Sequence, residues 1–179
     1  MKGNRKTKKI ITFGDHNLRA TCSKIENFNK KLKNEIDIIY NTLKLHGEGA
    51  ALAAPQISLL KQIIVIDYLG EYFELINPEI AKGYGETNEF EGCLSLPGLY
   101  GQVKRYEKIR VKFQNRNGQF YTVDVENQMA RCFQHEIDHL SGTLYIDRMT
   151  DKYVFNSETN GKIPVKFLLE LAGKRIICT

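Results

Sequence analysis

The sequence has no apolar run that approaches the roughly 20 residues of a membrane-spanning helix. Its first nine residues carry five basic side chains, but the apolar segment and the small-residue cleavage site of a secretory signal do not follow them. With 42% hydrophobic and 26% charged residues, the composition is typical of a globular protein. We therefore expect a cytoplasmic protein that does not associate with a membrane.

The sequence also lacks any CxxC pair of cysteines. Its four cysteines are widely separated, at Cys22, Cys93, Cys132 and Cys178. In a chain without a secretion signal, this spacing does not indicate a disulfide framework. We expect thiols, and the question is whether one of them takes part in the chemistry.

Signatures of nucleic-acid binding are missing too, because there is no RNP, KH or helix-turn-helix motif. The formal net charge of +5 lies within residues 1–9, and the rest of the chain carries equal numbers of basic and acidic side chains. Such a basic segment is usually a solvated tail, although it could make weak contact with the ribosome. We expect no DNA binding.

The most informative feature that is present is an HExxH motif, formed by His135, Glu136 and His139. A helix turns about 100° per residue, so both imidazoles lie on one face and point at the same place. One divalent cation could bind there, with Glu136 beside it as a general base for a water molecule. Two surface histidines are the alternative, but the flanking pattern indicates a buried helix.

A catalytic centre of this kind needs a third protein ligand. Metzincin peptidases take their third ligand from a histidine downstream, in the spacing HExxHxxGxxH. This chain matches that spacing as far as Gly142, but Tyr145 stands in place of the third histidine. Asp147 is a possible oxygen donor, but an acid in a charged stretch is usually solvated surface.

Upstream, two thiols are candidates for the third ligand. Cys132 lies about 7.5 Å along the helix axis from the midpoint of the two histidines, which is too far for its short side chain. Cys93 lies in an extended stretch between Gly92 and Pro97, and a thiolate there could close the site from outside the helix.

Hydrophobic periodicity predicts two main helices, from Asn27 to about His46 and from Gln128 to Leu140, each followed by a glycine. Between them lie strand-like runs at 62–68, 72–76, 109–113 and 120–125. An Asn-Gly pair in 115–119 predicts a hairpin between the last two runs. We therefore expect an α+β fold in which antiparallel β-sheets surround a central helix that carries the HExxH motif.

The sequence shows no internal linker. We expect residues 1–9 to form a basic N-terminal tail and residues 10–179 to form a single catalytic domain. The segment from about residue 152 is the least informative, with a short helix predicted at 167–172 and a terminal strand at 175–178.

Three separated motifs resemble those of the peptide deformylase family, in the same order. They are GAALAAPQ at 49–56, EGCLS at 91–95 and QHEIDHL at 134–140, and the resemblance covers roughly residues 9 to 150. It implies a hydrolase that removes the formyl group from N-formyl-methionyl peptides or nascent chains and releases formate.

The resemblance also implies the site. Cys93, His135 and His139 would hold one divalent metal ion, which is Fe(II) in the cell, while zinc, nickel or cobalt are accepted. Glu136 would take a proton from water and return it to the departing amine. The oxyanion would receive hydrogen bonds from the Gln56 side chain and the backbone N–H of Leu94.

The remaining residues that the resemblance implies would contact the substrate. The segment that begins at Gly49 would pair with the peptide backbone like an added strand. The substrate-binding residues are Gly49, Ala50, Ala51, Gly92 and Cys132, and Phe133 would help Cys132 to shape an apolar pocket for methionine.

One position departs from the family pattern, because Ala51 stands where a second glycine is usual. The added Cβ would crowd the substrate channel or require a different φ, while the chemistry stays intact. Two alternative functions remain. One is an HExxH metallopeptidase that cleaves internal bonds, and the other is an inactive or divergent deformylase-like protein that only binds metal.

Overall fold

The computed structural model describes residues 6–47 and 49–171, which form two antiparallel sheets and three α-helices. The helices are α1 (Lys30–Leu45), α2 (Asn127–His139) and α3 (Val165–Leu171). The strands are β1 (Ala51–Ala53), β2 (Ile63–Tyr68), β3 (Glu71–Tyr84), β4 (Thr87–Cys93), β5 (Leu96–Arg105), β6 (Lys108–Gln114), β7 (Phe120–Glu126), β8 (Tyr153–Asn156) and β9 (Lys162–Pro164). This arrangement confirms the predicted α+β class.

The larger sheet has the strand order β1-β2-β3-β6-β7, and the smaller one has the order β4-β5-β8-β9. The predicted hairpin is present, since β6 and β7 pair in antiparallel register around a turn in which Gly118 has φ +82°. β1 and β4 each end their sheet, so each keeps one edge for another strand. Both edges matter for the site.

The larger sheet is buried on both faces over β1 and β2, and neighbouring residues alternate between two hydrophobic clusters. Ile63 and Val65 pack with α1, whereas Ile64 and Ile66 pack with α2. This period of two is expected for a strand whose successive side chains point to opposite faces. The sheet therefore fixes the position of α2 through Ala130 and the neighbouring apolar residues of that helix.

The HExxH helix is present as α2, within one residue of its predicted bounds. It ends at His139, and the chain then turns at Gly142, which has φ +70°. That the two sheets surround this helix as a central element stays a prediction.

Several strands exceed the sequence-based prediction. β3 runs to Tyr84 instead of stopping at Ile76, and β1, β4, β5, β8 and β9 were not predicted as strands. The short helix predicted at 167–172 is confirmed as α3 up to Leu171. The predicted strand 175–178 and the first five residues of the basic tail lie outside the described residues, and the division into tail and single domain stays a prediction.

Three cysteines of the described chain, Cys22, Cys93 and Cys132, are free thiols, as expected. None of the helices within residues 6–47 and 49–171 is both long enough and apolar enough to span a membrane.

The turn after α2 brings Gly142 close to the backbone of Arg19, and two glycine substitutions test whether this contact stabilises the fold. A Cβ added at Gly142 would lie 2.4 Å from the carbonyl oxygen of Arg19, whereas a Cβ at Gly70, which has φ +80°, would meet nothing within 4 Å. We expect Gly70→Ala to lower the free energy of unfolding by about 1 to 2 kcal/mol through backbone conformation alone. Gly142→Ala should cost about 1 to 3 kcal/mol more, because the Arg19 backbone must move.

Urea unfolding of the two variants beside the unchanged protein measures this difference. Equal losses in the two variants would show that the turn does not depend on close contact with Arg19.

Candidate active site

Three potential metal ligands meet at one end of α2. His135 and His139 come from the helix, Cys93 ends β4, and their ligand atoms all lie within 4.8 Å of one another. Cys93 Sγ is 3.4 Å from His139 Nε2. A tetrahedral cation with ordinary metal–sulfur and metal–nitrogen bonds would keep these two atoms about 3.6 Å apart. The three residues therefore fit a divalent metal ion.

A tight hairpin positions the thiol. Cys93 pairs with Leu96 across the turn between β4 and β5, after a register shift at Gly92. The backbone N–H of Ser95 donates to Cys93 Sγ at 3.4 Å. This contact helps to hold the sulfur towards the two histidines.

A buried carboxylate orients the first histidine. His135 Nδ1 lies 2.9 Å from an oxygen of Glu91, so Nε2 is left to face Cys93 and His139. Glu91 also accepts two hydrogen bonds from Arg105, at 2.9 and 3.0 Å, and one from Arg131 at 2.8 Å. The carboxylate is thus fully partnered although its side chain is only 4% exposed.

The electrostatics of this group favour positive charge at the site. Burial alone would raise the pKa of Glu91, but hydrogen bonds from His135 and Arg105 lower it to about 2. Burial alone would lower the pKa of His135, yet Cys93 and Glu91 together raise it well above its usual value. Negative groups therefore stabilise positive charge at His135. By contrast, burial and the positive charges of His135, Arg105 and Arg19 lower the pKa of His139 well below its usual value, which leaves its imidazole neutral.

The network continues behind the helix through Asp138. This carboxylate accepts from Arg105 Nη1 at 2.5 Å and from Arg148 at 2.5 and 2.7 Å. Sequence reasoning did not find Asp138, Arg105, Arg131 or Arg148. One local signal was available for Glu91, which stands two residues before Cys93 and hence on the same face of the strand.

Glu136 lies beside the ligands in a buried position. Among the residues that the structure describes, none contacts its Oε2 atom through a hydrogen bond. Burial raises the pKa of Glu136 to about 7. A carboxyl group in this state can both accept and release a proton near neutral pH.

Gln56 reaches the site from a short 3-10 turn, Ala54–Ile57, that follows β1. Its Oε1 accepts from the backbone N–H of Ala53 at 2.8 Å, which fixes the amide orientation. Its Nε2 donates to Ser95 Oγ at 3.2 Å and to Cys93 Sγ at 3.6 Å. The amide N–H group is therefore held next to the ligand thiol.

A cleft opens over these groups. Eight of the eleven predicted site residues line it, namely Ala50, Ala51, Gln56, Cys93, Leu94, Cys132, His135 and Glu136. His139 lies beneath the surface of the cleft, being 1% exposed. Gly49 and Gly92 lie next to lining residues but do not line the cleft themselves.

The apolar pocket predicted for methionine differs from the observed cleft at one residue, Phe133. Phe133 does not line the cleft but packs in the core, with its ring 5.2 Å from that of Phe73. The cleft also contains Phe90, Gln128 and Arg131, which sequence reasoning missed. Consecutive helical residues point about 100° apart, and here Cys132 points to the cleft while Phe133 points into the core of the larger sheet.

The downstream candidates do not join the ligands. Asp147 is not solvated surface as predicted, because it forms an ion pair with Arg19 and is 11% exposed. Tyr145 is buried, its ring stacks on His135 at 6.2 Å, and its hydroxyl donates to the carbonyl of Leu99 at 3.0 Å. Tyr145 thus supports a ligand without being one of the three ligands grouped here.

Comparison with known proteins gives one consistent result. The sequence profile of the family described as polypeptide deformylase matches residues 7–154. A peptide deformylase of Heliobacterium modesticaldum is 41% identical over 140 residues, which cover 78% of this chain and 92% of that protein. Peptide deformylase 1 of Bacillus anthracis is 41% identical over 150 residues, which cover 82% of this chain and 95% of that protein.

Solved structures agree with these sequence relatives. A peptide deformylase from Thermotoga maritima has a TM-score of 0.78 and 36% identity, and the match covers 81% of this chain and 99% of that one. A peptide deformylase from Synechococcus elongatus, solved in complex with actinonin, has a TM-score of 0.78 and 31% identity over 94% of this chain and 87% of that one. The chain described here belongs to the peptide deformylase family.

Proposed function

We propose that this protein removes the formyl group from the N-terminal formyl-methionine of nascent polypeptides and releases formate. The observation that carries the proposal is the convergence of Cys93, His135 and His139 with the carboxyl group of Glu136 and the amide of Gln56. Amide hydrolysis needs a proton carrier and an oxyanion donor, and the three ligands would hold a metal ion that supplies Lewis-acid chemistry.

Cys93, His135 and His139 would hold one divalent metal ion, with Fe(II) the ion in the cell and zinc, nickel or cobalt possible after isolation. A mixed sulfur and nitrogen donor set is compatible with each of these metals. When bound, the ion would supply Lewis-acid chemistry at neutral pH. Glu91 would hold His135 in the orientation that binding requires.

Glu136 moves the proton in this proposal. Its carboxylate takes a proton from water as the formyl carbon is attacked, and it then gives that proton to the departing amine. The Gln56 amide and the backbone N–H of Leu94 donate hydrogen bonds to the oxyanion that forms between these steps. One residue therefore acts as both base and acid.

The peptide binds as an added strand between the two sheet edges. On one side stands β1, which begins at Ala51, with Gly49 and Ala50 directly before it, and on the other side stands Gly92 of β4. Backbone pairing needs no particular sequence, which suits an enzyme that acts on many nascent chains. Cys132 lies beside the side chain of the first residue.

The proposed place of action is the cytoplasm, where nascent chains are made. The basic segment 1–9 would make weak contact with the ribosome by attraction to RNA phosphates. Residues 10–179 would act as a single catalytic domain.

Anaerobic purification with metal analysis, followed by a formate-release assay on a formyl-methionyl peptide, tests the proposed function. We expect about one metal ion per chain and release of formate. A protein that holds its metal but releases no formate would show that the proposed activity is wrong, and cleavage of an unformylated peptide would favour a peptidase instead.

Cys93→Ser tests the ligand assignment. The shorter and harder hydroxyl is a poor substitute for a thiolate, so we expect loss of bound metal and a fall in kcat/KM of at least about 100-fold. Cys22→Ser removes a buried thiol of the core and is the matched control, which should keep its metal. Metal content is measured by elemental analysis, and full retention in Cys93→Ser would exclude this residue as a ligand.

Glu136→Gln separates proton transfer from metal binding. The amide keeps the shape of the side chain but cannot carry the proton, so kcat should fall by about 10² to 10⁴. The metal content should stay unchanged, because Glu136 is not among the three ligands. Glu158→Gln, at an exposed position, serves as the control, and near-normal kcat in Glu136→Gln would remove Glu136 from the mechanism.

Ala51→Gly tests the one departure from the family motif. Ala51 lies in β1 with ordinary extended backbone, so its methyl group narrows the cleft without backbone strain. We expect Ala51→Gly to raise kcat/KM for formyl-methionyl peptides by a few-fold and to lower the free energy of unfolding by about 0.5 to 1 kcal/mol. Ala81→Gly, an exposed position in β3, controls for glycine in a strand, and an unchanged kcat/KM in Ala51→Gly would refute the effect on the channel.

A further inference from the structure

A row of residues crosses all four strands of the smaller sheet. Gly92 of β4 is paired with Tyr100 of β5, Tyr100 with Phe155 of β8, and Phe155 with Lys162 of β9. Directly paired residues of neighbouring strands share one face of a sheet. Since Glu91 and Cys93 point to the interior, this row lies on the outer face.

Phe90 extends the row, because it stands two residues before Gly92 and hence on the same face. Its ring meets Tyr100 at 5.5 Å and Phe155 at 5.9 Å, both edge to face. Tyr100 and Phe155 stack at 5.7 Å. We call Phe90, Tyr100 and Phe155 the aromatic platform.

The platform is continuous with the catalytic cleft. Phe90 is 52% exposed and lines the cleft together with Cys93 and His135. At Gly92 an added Cβ would meet only the carbonyl oxygen of Leu99, at 3.6 Å. Gly92 therefore leaves a gap on the outer face of β4, beside the rings of Phe90 and Tyr100, which contact each other.

The far end of the platform is covered. Lys162 Nζ lies over the ring of Phe155, 5.5 Å from its centroid. This cation–π contact occupies Phe155 from the side of β9. The accessible part of the platform is thus the end next to the cleft, where Phe90 and the gap at Gly92 meet.

The direction of a bound peptide decides which side chain reaches this gap. A peptide added to the edge of β4 would lie about 4.8 Å from that strand, with successive side chains on opposite faces. In the proposed function the first side chain points inward, beside Cys132. The second side chain then points to the outer face, next to Phe90 and Gly92.

We propose that the aromatic platform is a binding site for the second residue of the formylated peptide and that it selects an aromatic or large apolar side chain there. The inference rests on the proposed function. The ring of the second residue fills the gap at Gly92 and packs against Phe90 and Tyr100. The third side chain points away from the platform and is not selected by it.

Four formylated tripeptides test this inference with the metal-loaded protein, namely formyl-Met-Ala-Ala, formyl-Met-Phe-Ala, formyl-Met-Ala-Phe and formyl-Met-Asp-Ala. Phenylalanine at the second position should raise kcat/KM over alanine by about three- to ten-fold, mainly through KM, as expected for one added aromatic contact. Phenylalanine at the third position should have little effect, and aspartate at the second should show no gain.

Phe90→Ala and Tyr100→Ala should each reduce the second-position preference to near unity. Phe120→Ala is the matched control, because Phe120 is an exposed aromatic residue of β7 in the other sheet and should leave the preference unchanged. Thermal unfolding checks that each variant is folded. If a variant does not fold, the comparison of the four peptides on the unchanged protein still tests the inference.

Equal kcat/KM for alanine and phenylalanine at the second position would overturn the inference, and so would a preference that persists in both platform variants. A gain at the third position instead of the second would contradict the proposed strand direction and overturn it as well. These results are distinct from failure of the proposed function, in which no peptide releases formate at all.

Discussion

The ion pairs of Glu91 are the interaction on which the rest of the site depends. This one carboxylate joins β4 to β5 through Arg105 and joins both strands to α2 through Arg131 and His135. A buried charge that loses a partner costs about 3 to 5 kcal/mol, so each partner is held in place by the others. The smaller sheet and the helix are therefore locked together at the point where the ligands meet.

The contacts of Glu91 explain how ligands from separate segments can form one centre. Two of them come from a single turn of α2, whose apolar side packs on the larger sheet. The third comes from a tight hairpin of the smaller sheet, and Gln56 comes from the turn after β1. No single element contains the site, so its precision depends on contacts between elements. The carboxylate of Glu91, whose oxygens all have partners, makes these contacts rigid.

Sequence patterns predicted the elements whose periodicity is local. The helices follow from apolar spacing, and the β6–β7 hairpin follows from its Asn-Gly turn. β4 and β5 were missed because they contain charged residues and glycines that have weak strand propensity. Arg105 is stable there through its pairing with Glu91 and Asp138. β3 was cut short because Asn77 and Pro78 interrupt the strand pattern, and Asn77 has φ +52°.

The same distinction applies to the site. The helix geometry brings His135 and His139 together, so local spacing alone was sufficient to propose them. From the residues alone, Cys93 was only a candidate for the third metal ligand, because the local sequence does not indicate which strand end faces the helix. Phe133 and Asp147 were misplaced for a similar reason, since the core contact of one and the Arg19 partner of the other are formed by residues far away in sequence. Contacts between residues that are far apart in the chain cannot be predicted from a short stretch of sequence.

The short length of β1 limits how tightly this edge of the cleft can hold an added strand. Its three residues offer few main-chain groups to an added strand, and each backbone hydrogen bond contributes only about 0.5 to 1.5 kcal/mol. An extended peptide therefore gains little from this edge, whatever its sequence. A longer edge would retain the deformylated chain and slow its departure. Brevity of the strand favours rapid turnover over tight binding.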